Sequence, residues 1–358
     1  LGVCLAWGRG VHINRTEADA LLREAVAVAN IPTLLMVLVQ LTGDLGWLEP
    51  RYHPSRGQGL DDNDSGGLPD DIQAEVRAAS LTAILDWRGG KPVAIPDPDP
   101  DLLVRMLGVS MGEPVPREYG PMTRAQLGQR PLERKPLSVP EGFRVLVIGA
   151  GASGMCMAVH LKAAGIPFEI LERNENVGGT WLENRYPGAG VDTPNHLYSF
   201  SFVMWDWPMY FALRDELKTY MEHVADHFDL RPHIRFGTEV VSTDWQEDSQ
   251  CWRVTTRDAT GKESVETANV VVSAAGIFNP AVFPDIPGLD SFEGESFHTS
   301  RWPEDLDLTD KRVAIIGNGA SAMQICPEIQ NTVGSLDIYQ RSLHWAAPFP
   351  HFRKPVPE

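Results

Sequence analysis

The chain has 358 residues, 43% of them hydrophobic and 22% charged, a globular composition long enough for two or three packed domains and unlike that of a disordered tail. Its 31 basic and 48 acidic residues give a net charge of −17, which argues against nucleic acid and anionic membrane as partners and requires any phosphate site to be local. Cys4, Cys156, Cys251 and Cys326 form no C-x-x-C pair and no cluster at metal-ligand spacing, so reduced thiols, no metal and a cytoplasmic location are expected.

The sequence opens at Leu1 rather than Met, and residues 1–7 lack the basic region and cleavage site of a signal peptide, so a fragment is expected at this end. Thr16 reads as a helix N-cap with Asp19 three residues on, followed by an apolar stripe at Leu21, Leu22, Ala25 and Val26. The apolar run 31–41 is interrupted by Pro32 and Gln40 and is too short to span a bilayer, which leaves a buried helix. Further stripes at Ile72, Val76, Ala79, Ala83 and at Leu102, Leu103, Met106, Leu107 predict two more helices, separated by loops over 56–71 and 96–100. Residues 1–138 are therefore expected to form a small all-α domain without a catalytic constellation, and a homodimer through it is expected. Pro131, Pro136 and Pro140 mark a linker.

The pattern then changes. Residues 143–148 read as a strand that is apolar except at Arg144, followed by a Gly-rich turn, a helix over 153–164 and a second strand over 168–172, a β-α-β unit of a parallel sheet. A similar unit recurs at 312–316, 317–322 and 335–340, so one nucleotide-binding device is used twice.

In the first unit Gly149, Gly151 and Gly154 give G-x-G-x-x-G between strand and helix. The first glycine permits the tight turn, the second lets the backbone approach a pyrophosphate and the third allows close helix–strand packing. Ser153, opening the helix, belongs with these cofactor-binding residues. Glu172 closes the second strand, where a carboxylate accepts from ribose hydroxyls and repels a 2′-phosphate. The second unit carries Gly317, Gly319 and Ala322, the alanine demanding a slightly wider helix–strand approach. Arg341 stands at nearly the offset of Glu172, with the opposite charge. The first site thus suits a ribose with free hydroxyls and the second a 2′-phosphate, which favours NADPH over NADH. Two unlike dinucleotide sites in one chain imply one tightly held redox cofactor and one that feeds it hydride.

Gly179-x-Trp181-x4-Tyr186-Pro187-Gly188-x3-Asp192 resembles the flavin-side signature of Baeyer–Villiger monooxygenases, class B flavoprotein monooxygenases, at every defined position. Phe292-x-Gly294-x3-His298-x3-Trp302-Pro303 is similar to the same family's fingerprint, and the helical extension with the wording of residues 178–202 resembles its 4-hydroxyacetophenone monooxygenase branch. The resemblance implies an α/β fold with two Rossmann-type dinucleotide-binding units, for FAD and NADP, behind the all-α domain. The expected divisions are 1–138, 139–300 for the FAD unit and 301–358 for the start of an incomplete NADP unit.

The resemblance further implies an enzyme that binds FAD and consumes NADPH, converting a ketone and dioxygen into an ester or lactone through a peroxyflavin, and the 4-hydroxyacetophenone branch points to aryl ketones within that class. It places Glu172 on the FAD ribose, Thr180 and Trp181 beside the flavin, Asp192 and Tyr198 near the isoalloxazine, and Val240 by its backbone near the adenine. Ser321, Arg341 and Ser342 would face NADPH, and His298 and Trp302 would belong to a hinge. Asp192 is the expected catalytic residue, holding an arginine that lies beyond Glu358 in the family. Two other readings stay open at this point, an N- or S-oxygenating flavin-containing monooxygenase and an inactive nucleotide-binding fragment.

Overall fold

The computed structural model describes residues 15–55, 64–127, 136–195, 197–277, 280–346 and 352–356. The chain divides into two units, Leu1–Glu133 and Arg134–Glu358. The division precedes the expected border at residue 138, and residues 128–135 of the Pro-rich stretch lie outside the described residues.

In the first unit the described helices are α1 (Arg15–Val28), α2 (Ile31–Thr42), α3 (Asp70–Arg88), α4 (Pro100–Met111) and α5 (Tyr119–Gln126). Asn30 caps α2 by accepting the Thr33 N–H, and the helix ends at Gly43 in the left-handed conformation. Its buried stripe of Ile31, Leu34, Leu35, Leu38 and Val39 meets Val76, Leu103 and Met106 in one apolar core. Asp99 caps α4 with Pro100 in the first turn, so the Pro/Asp stretch is a helix start as well as a loop. Two expectations are corrected. Thr16 lies inside α1, not at its cap, and Leu21 is 51% exposed while Leu22 and Val26 are buried. At 3.6 residues per turn adjacent leucines point about 100° apart, so only one of them faces a narrow core.

The second unit is built on β1 (Val145–Ile148), β2 (Phe168–Leu171), β3 (Ile234–Arg235) and β7 (Val270–Ser273), a parallel sheet in the order β3-β2-β1-β7. Helix α6 (Ala152–Ala163) crosses from β1 to β2, and α7 (Thr180–Glu183) and α8 (Arg214–His227) follow. An antiparallel meander of β4 (Thr238–Gln246), β5 (Cys251–Asp258) and β6 (Glu263–Ala268) leads back into β7.

The apolar run of β1 is explained by burial on both faces. Val145 and Val147 pack with Met155, Ile170, Leu217 and Tyr220, whereas Leu146 packs with Leu171, Val254 and Ala268. The second β-α-β unit follows as β8 (Arg312–Ile316), α9 (Ala320–Ile329) and β9 (Ser335–Tyr339), with β8 and β9 parallel. Among the described residues no helix is long and apolar enough to cross a membrane.

An ion cluster ties the parallel sheet to the meander. Glu169 on β2 accepts from Arg144 and from Arg235 Nη2 at 2.6 Å, and Glu266 on β6 pairs with Arg144 at 2.8 Å and Arg235 at 2.9 Å. Burial pushes the Glu169 carboxyl up, but the hydrogen bonds and charges of Arg235 and Arg144 outweigh it and hold the group below its ordinary value. A lowered folded value contributes stability above the ordinary carboxylate range, and that stability is lost as pH falls through the lowered value. Glu169→Gln should therefore lower the melting temperature at neutral pH by roughly 2–4 °C, equivalent to about 1 kcal/mol in a unit of this size. The difference from the parent should vanish in acid. Thermal melts across pH check this, and a difference that grows as pH falls would refute it.

Candidate functional site

The turn between β1 and α6 is built by backbone contacts that no side chain could share. Gly149 adopts φ 98°, donates its N–H to Leu171 O at 2.8 Å, and a Cβ there would stand 2.8 Å from Ala274 O. A Cβ on Gly154 would lie 1.9 Å from Gly149 O, so helix and turn pack this closely only with glycine. Gly151 differs, since a Cβ there would meet only Gly179 Cα at 3.6 Å, an ordinary contact. The fold does not need Gly151; the space beside it is what the glycine keeps open. Gly178 donates to Ala150 O at 3.1 Å and carries the signature loop under this turn.

These pieces line a cavity of about 410 Å³, together with Ser153, Glu172, Arg173, Asn174, Thr180, Trp181, Glu183, Tyr198, Val240 and other residues. Helix α6 has Gly151 at its cap and no side-chain cap bond, so its first-turn N–H groups are offered to an anion. Glu172 is 4% exposed. Its Oε2 accepts the Ala150 N–H at 2.6 Å, and its Oε1 accepts the Asn174 N–H at 2.8 Å and Nδ2–H at 2.7 Å. A carboxylate has about four acceptor directions, so roughly one remains for a ribose hydroxyl.

At the other end, Trp181 is buried, donates its indole N–H to Tyr198 Oη at 3.1 Å and meets that ring edge-on at 5.7 Å. Arg214 fixes this wall by donating to Trp181 O at 2.8 Å and Leu182 O at 3.1 Å. Val240 lines the cavity just before a β-bulge that separates its pairing with Thr256 from that of Ser242 with Thr255.

Asp192 is not among the side chains lining this cavity. It follows buried Val191 in a bend, and it is exposed with no partner among the described residues.

In the second unit Gly317 and Gly319 face open space, Ala322 is buried, and α9 likewise has no side-chain cap bond. Asn318 Nδ2 donates to Gln340 Oε1 at 2.9 Å and Ser342 O at 3.0 Å, which pins the turn after β8 to the residues on either side of Arg341. Arg341 and Ser342 are exposed there, Ser321 is half-buried, and none of these residues lines the first cavity. His298 accepts the Ser300 N–H at 3.2 Å through Nδ1, and Trp302 meets Phe297 edge-on at 5.2 Å; both sit in the segment between β7 and β8, outside the cavity.

Sequence reasoning did not single out Asn174, Glu183, Arg214, Thr238, Asn318 or the 274–276 turn. For Asn174 and Asn318 a signal existed, since an Asn two residues past a strand-end carboxylate or inside a glycine turn is suited to local hydrogen bonding. Thr238 and the 274–276 turn carried none that local pattern exposes.

The model of the flavin-binding monooxygenase-like family matches residues 142–347, which span both nucleotide units. The chain belongs to that family. It is 46% identical over 339 residues to a Sinorhizobium fredii protein described as an uncharacterized monooxygenase, y4iD, covering 94% of this chain and 51% of that one. It is 48% identical over 212 residues to a Baeyer–Villiger monooxygenase of Streptomyces coelicolor, covering 59% of this chain and 40% of the relative. Among solved structures it resembles OTEMO in complex with FAD and NADP, with 36% identity, a TM-score of 0.56, and coverage of 63% of this chain and 42% of that one. The chain therefore spans about half the length of the Sinorhizobium relative and less of the others.

The two glycine positions separate fold from ligand in this flavin-binding family. Gly151→Val should leave the protein folded and colourless, whereas Gly154→Ala should lower stability itself, by a few kcal/mol of overpacking. Melting temperature and bound-flavin absorbance measured on both variants check this. Full flavin occupancy in Gly151→Val would remove the pyrophosphate from this turn.

Proposed function

We propose that the protein is an FAD-dependent, NADPH-consuming monooxygenase of the Baeyer–Villiger type, which converts a ketone, with aryl ketones as the first class to try, and dioxygen into an ester or lactone. The observation that carries the reading is the presence of two glycine turns of unlike charge, one with Glu172 at its strand end and one with Arg341, the first of them lining a cavity walled by Trp181 and Tyr198. The relatives named Baeyer–Villiger monooxygenase and the FAD and NADP complex of the similar structure support it.

The residues present fit both cofactors. The glycine floor at Gly151 and the uncapped start of α6 suit the FAD pyrophosphate, and the remaining acceptor direction of Glu172 suits one ribose hydroxyl. Thr180, Trp181 and Tyr198 would flank the ring system and keep water from it, with Val240 near the adenine. Ala320 and Ser321, at the uncapped start of α9, would meet the NADPH pyrophosphate, and Arg341 with Ser342 the 2′-phosphate. When bound, the flavin supplies hydride acceptance and the activation of dioxygen. Asp192, exposed and without a partner among the described residues, would hold a cationic side chain toward the reacting oxygen and so act as the catalytic carboxylate of the chain. The proposal includes a cytoplasmic location and a homodimer through the helical unit, where Leu21, Val28 and Met111 stand exposed.

The test is product formed per NADPH consumed by the full-length protein on ketones, thioethers and amines. Ester or lactone in step with NADPH is expected. Oxygenated thioether or amine without ketone conversion overturns the reading.

Arg341→Ala should weaken use of NADPH by about ten- to a hundredfold, the worth of one charge-assisted pair, and leave NADH nearly unchanged. Steady-state kinetics with both coenzymes check it, and equal losses would place Arg341 elsewhere.

Asp192→Ala should keep bound FAD and its reduction by NADPH but divert oxygen to hydrogen peroxide at the expense of ester. Flavin content, reduction rate and peroxide yield measured together decide the matter. Loss of flavin, or ester at the parent yield, makes Asp192 structural.

A further inference from the structure

Residues 352–356 lie more than a hundred positions from the flavin-side signature, yet they form a strap across the segment that supports it. Tyr210 donates its N–H to Lys354 O at 3.1 Å, Val356 donates to Pro208 O at 2.9 Å, and Met209 and Pro355 form an antiparallel bridge. Phe352 packs on Phe211 with ring centroids 5.2 Å apart. The same 208–213 segment holds the loop that contains Asp192, through the Gly190–Leu213 bridge, the Val191 N–H to Ala212 O bond at 3.1 Å and Asn195 Nδ2 on Met209 O at 2.6 Å.

From this strap the Arg353 guanidinium addresses two elements at once. Nη2 donates to Gly188 O at 2.6 Å and Nη1 pairs with Glu328 on α9, with the side chain only 24% exposed. Gln324, four residues before Glu328 on the same helix, donates to Gly190 O at 2.9 Å and accepts from the Tyr186 hydroxyl at 3.0 Å. The turn admits nothing else: at Gly188, with φ 76°, a Cβ would meet Gln324 O at 2.7 Å, Glu328 Cγ at 2.8 Å and Arg353 Nη2 at 3.0 Å. A planar guanidinium suits this place because its fixed fork reaches two acceptors in set directions, which a lysine ammonium does not do with the same geometry.

We propose that Arg353 is a positioning residue that locks the 186–190 turn of the flavin-side unit to helix α9 of the second nucleotide unit, and so sets how the second nucleotide meets the flavin cavity. The coupling part of this inference rests on the two-cofactor reading above; the lock itself does not.

The test uses full-length protein carrying Arg353→Ala, Arg353→Lys or Glu328→Gln, with flavin content as the check on folding. Amide exchange should rise about tenfold or more in the 186–190 turn and in α9 for Arg353→Ala, and less for the other two. NADPH-driven reduction of the bound flavin should slow in the same order, while dithionite reduces it as in the parent. Unchanged exchange in a fully flavinated Arg353→Ala overturns the lock. Raised exchange with reduction by NADPH at the parent rate overturns the positioning role. If NADPH fails to reduce the parent flavin while exchange responds as expected, the two-cofactor reading falls and the coupling with it, and the lock is retained.

Discussion

The approach of α6 to the turn after β1 is the constraint on which the flavin-side unit depends. The 1.9 Å that would separate a Gly154 Cβ from Gly149 O means the helix sits as close to the strand end as backbone permits. That closeness places the uncapped N–H groups of the helix at the floor of the cavity instead of one layer above it. It also brings the Ala150 N–H to the Glu172 carboxylate at 2.6 Å, so the end of β2 is fixed by the same turn. Stability and ligand geometry are therefore set by one contact, with Gly151 left as the position whose freedom serves only what occupies the cavity.

The second unit repeats the turn without the same confinement. A Cβ on Gly149 would run into Ala274 after β7, whereas a Cβ on Gly317 or Gly319 would meet nothing within 4 Å, and β8 pairs only with β9 among the described residues. Ala322 in place of the third glycine is accommodated as a buried side chain. The two turns differ at the strand ends, where a buried carboxylate held by three donors contrasts with an exposed guanidinium. In a chain of net charge −17 that local cation is what would suit a ribose 2′-phosphate at the second turn, which the Glu172 carboxylate would repel at the first.

What was legible in the sequence is what local pattern encodes. Strand, glycine turn and helix stand next to one another in the chain, so both β-α-β units and the cavity residues Gly149 to Glu172 could be read without a structure. Trp181 was legible through the signature and Tyr198 through the family resemblance, and the cavity does bring them together. The meander β4–β6 was not, because its strands are amphipathic and half exposed and their pairing is settled by Glu266 and Val254 meeting a sheet formed a hundred residues earlier. Helix α8 was missed for a related reason: its buried stripe of Leu217, Tyr220, Met221 and Val224 is spaced correctly but carries a polar sequence around it. The outward turn of Asp192 depends on which of two neighbouring residues the core takes, and Val191 is the one that it takes.

Two nucleotide turns in one unit raise a geometric demand that neither turn meets alone. Hydride transfer requires reacting atoms within about 3–3.5 Å, so the second nucleotide must be held against the first to a fraction of an ångström. The end of α9 that would meet the nucleotide is its N-terminus at Ala320, but the contacts that anchor the helix are at Gln324 and Glu328, about 6 and 12 Å further along at 1.5 Å per residue. A helix held at one such point pivots, and the pivot is amplified at its far end; held at two, it is fixed in direction. Gln324 supplies one point through Gly190 and Tyr186, and Arg353 supplies the other through Gly188. Both points fall on the same glycine-rich turn, which also sets the start of the segment carrying Asp192, so the helix that would orient one nucleotide and the loop that would orient the reacting oxygen share a single anchor.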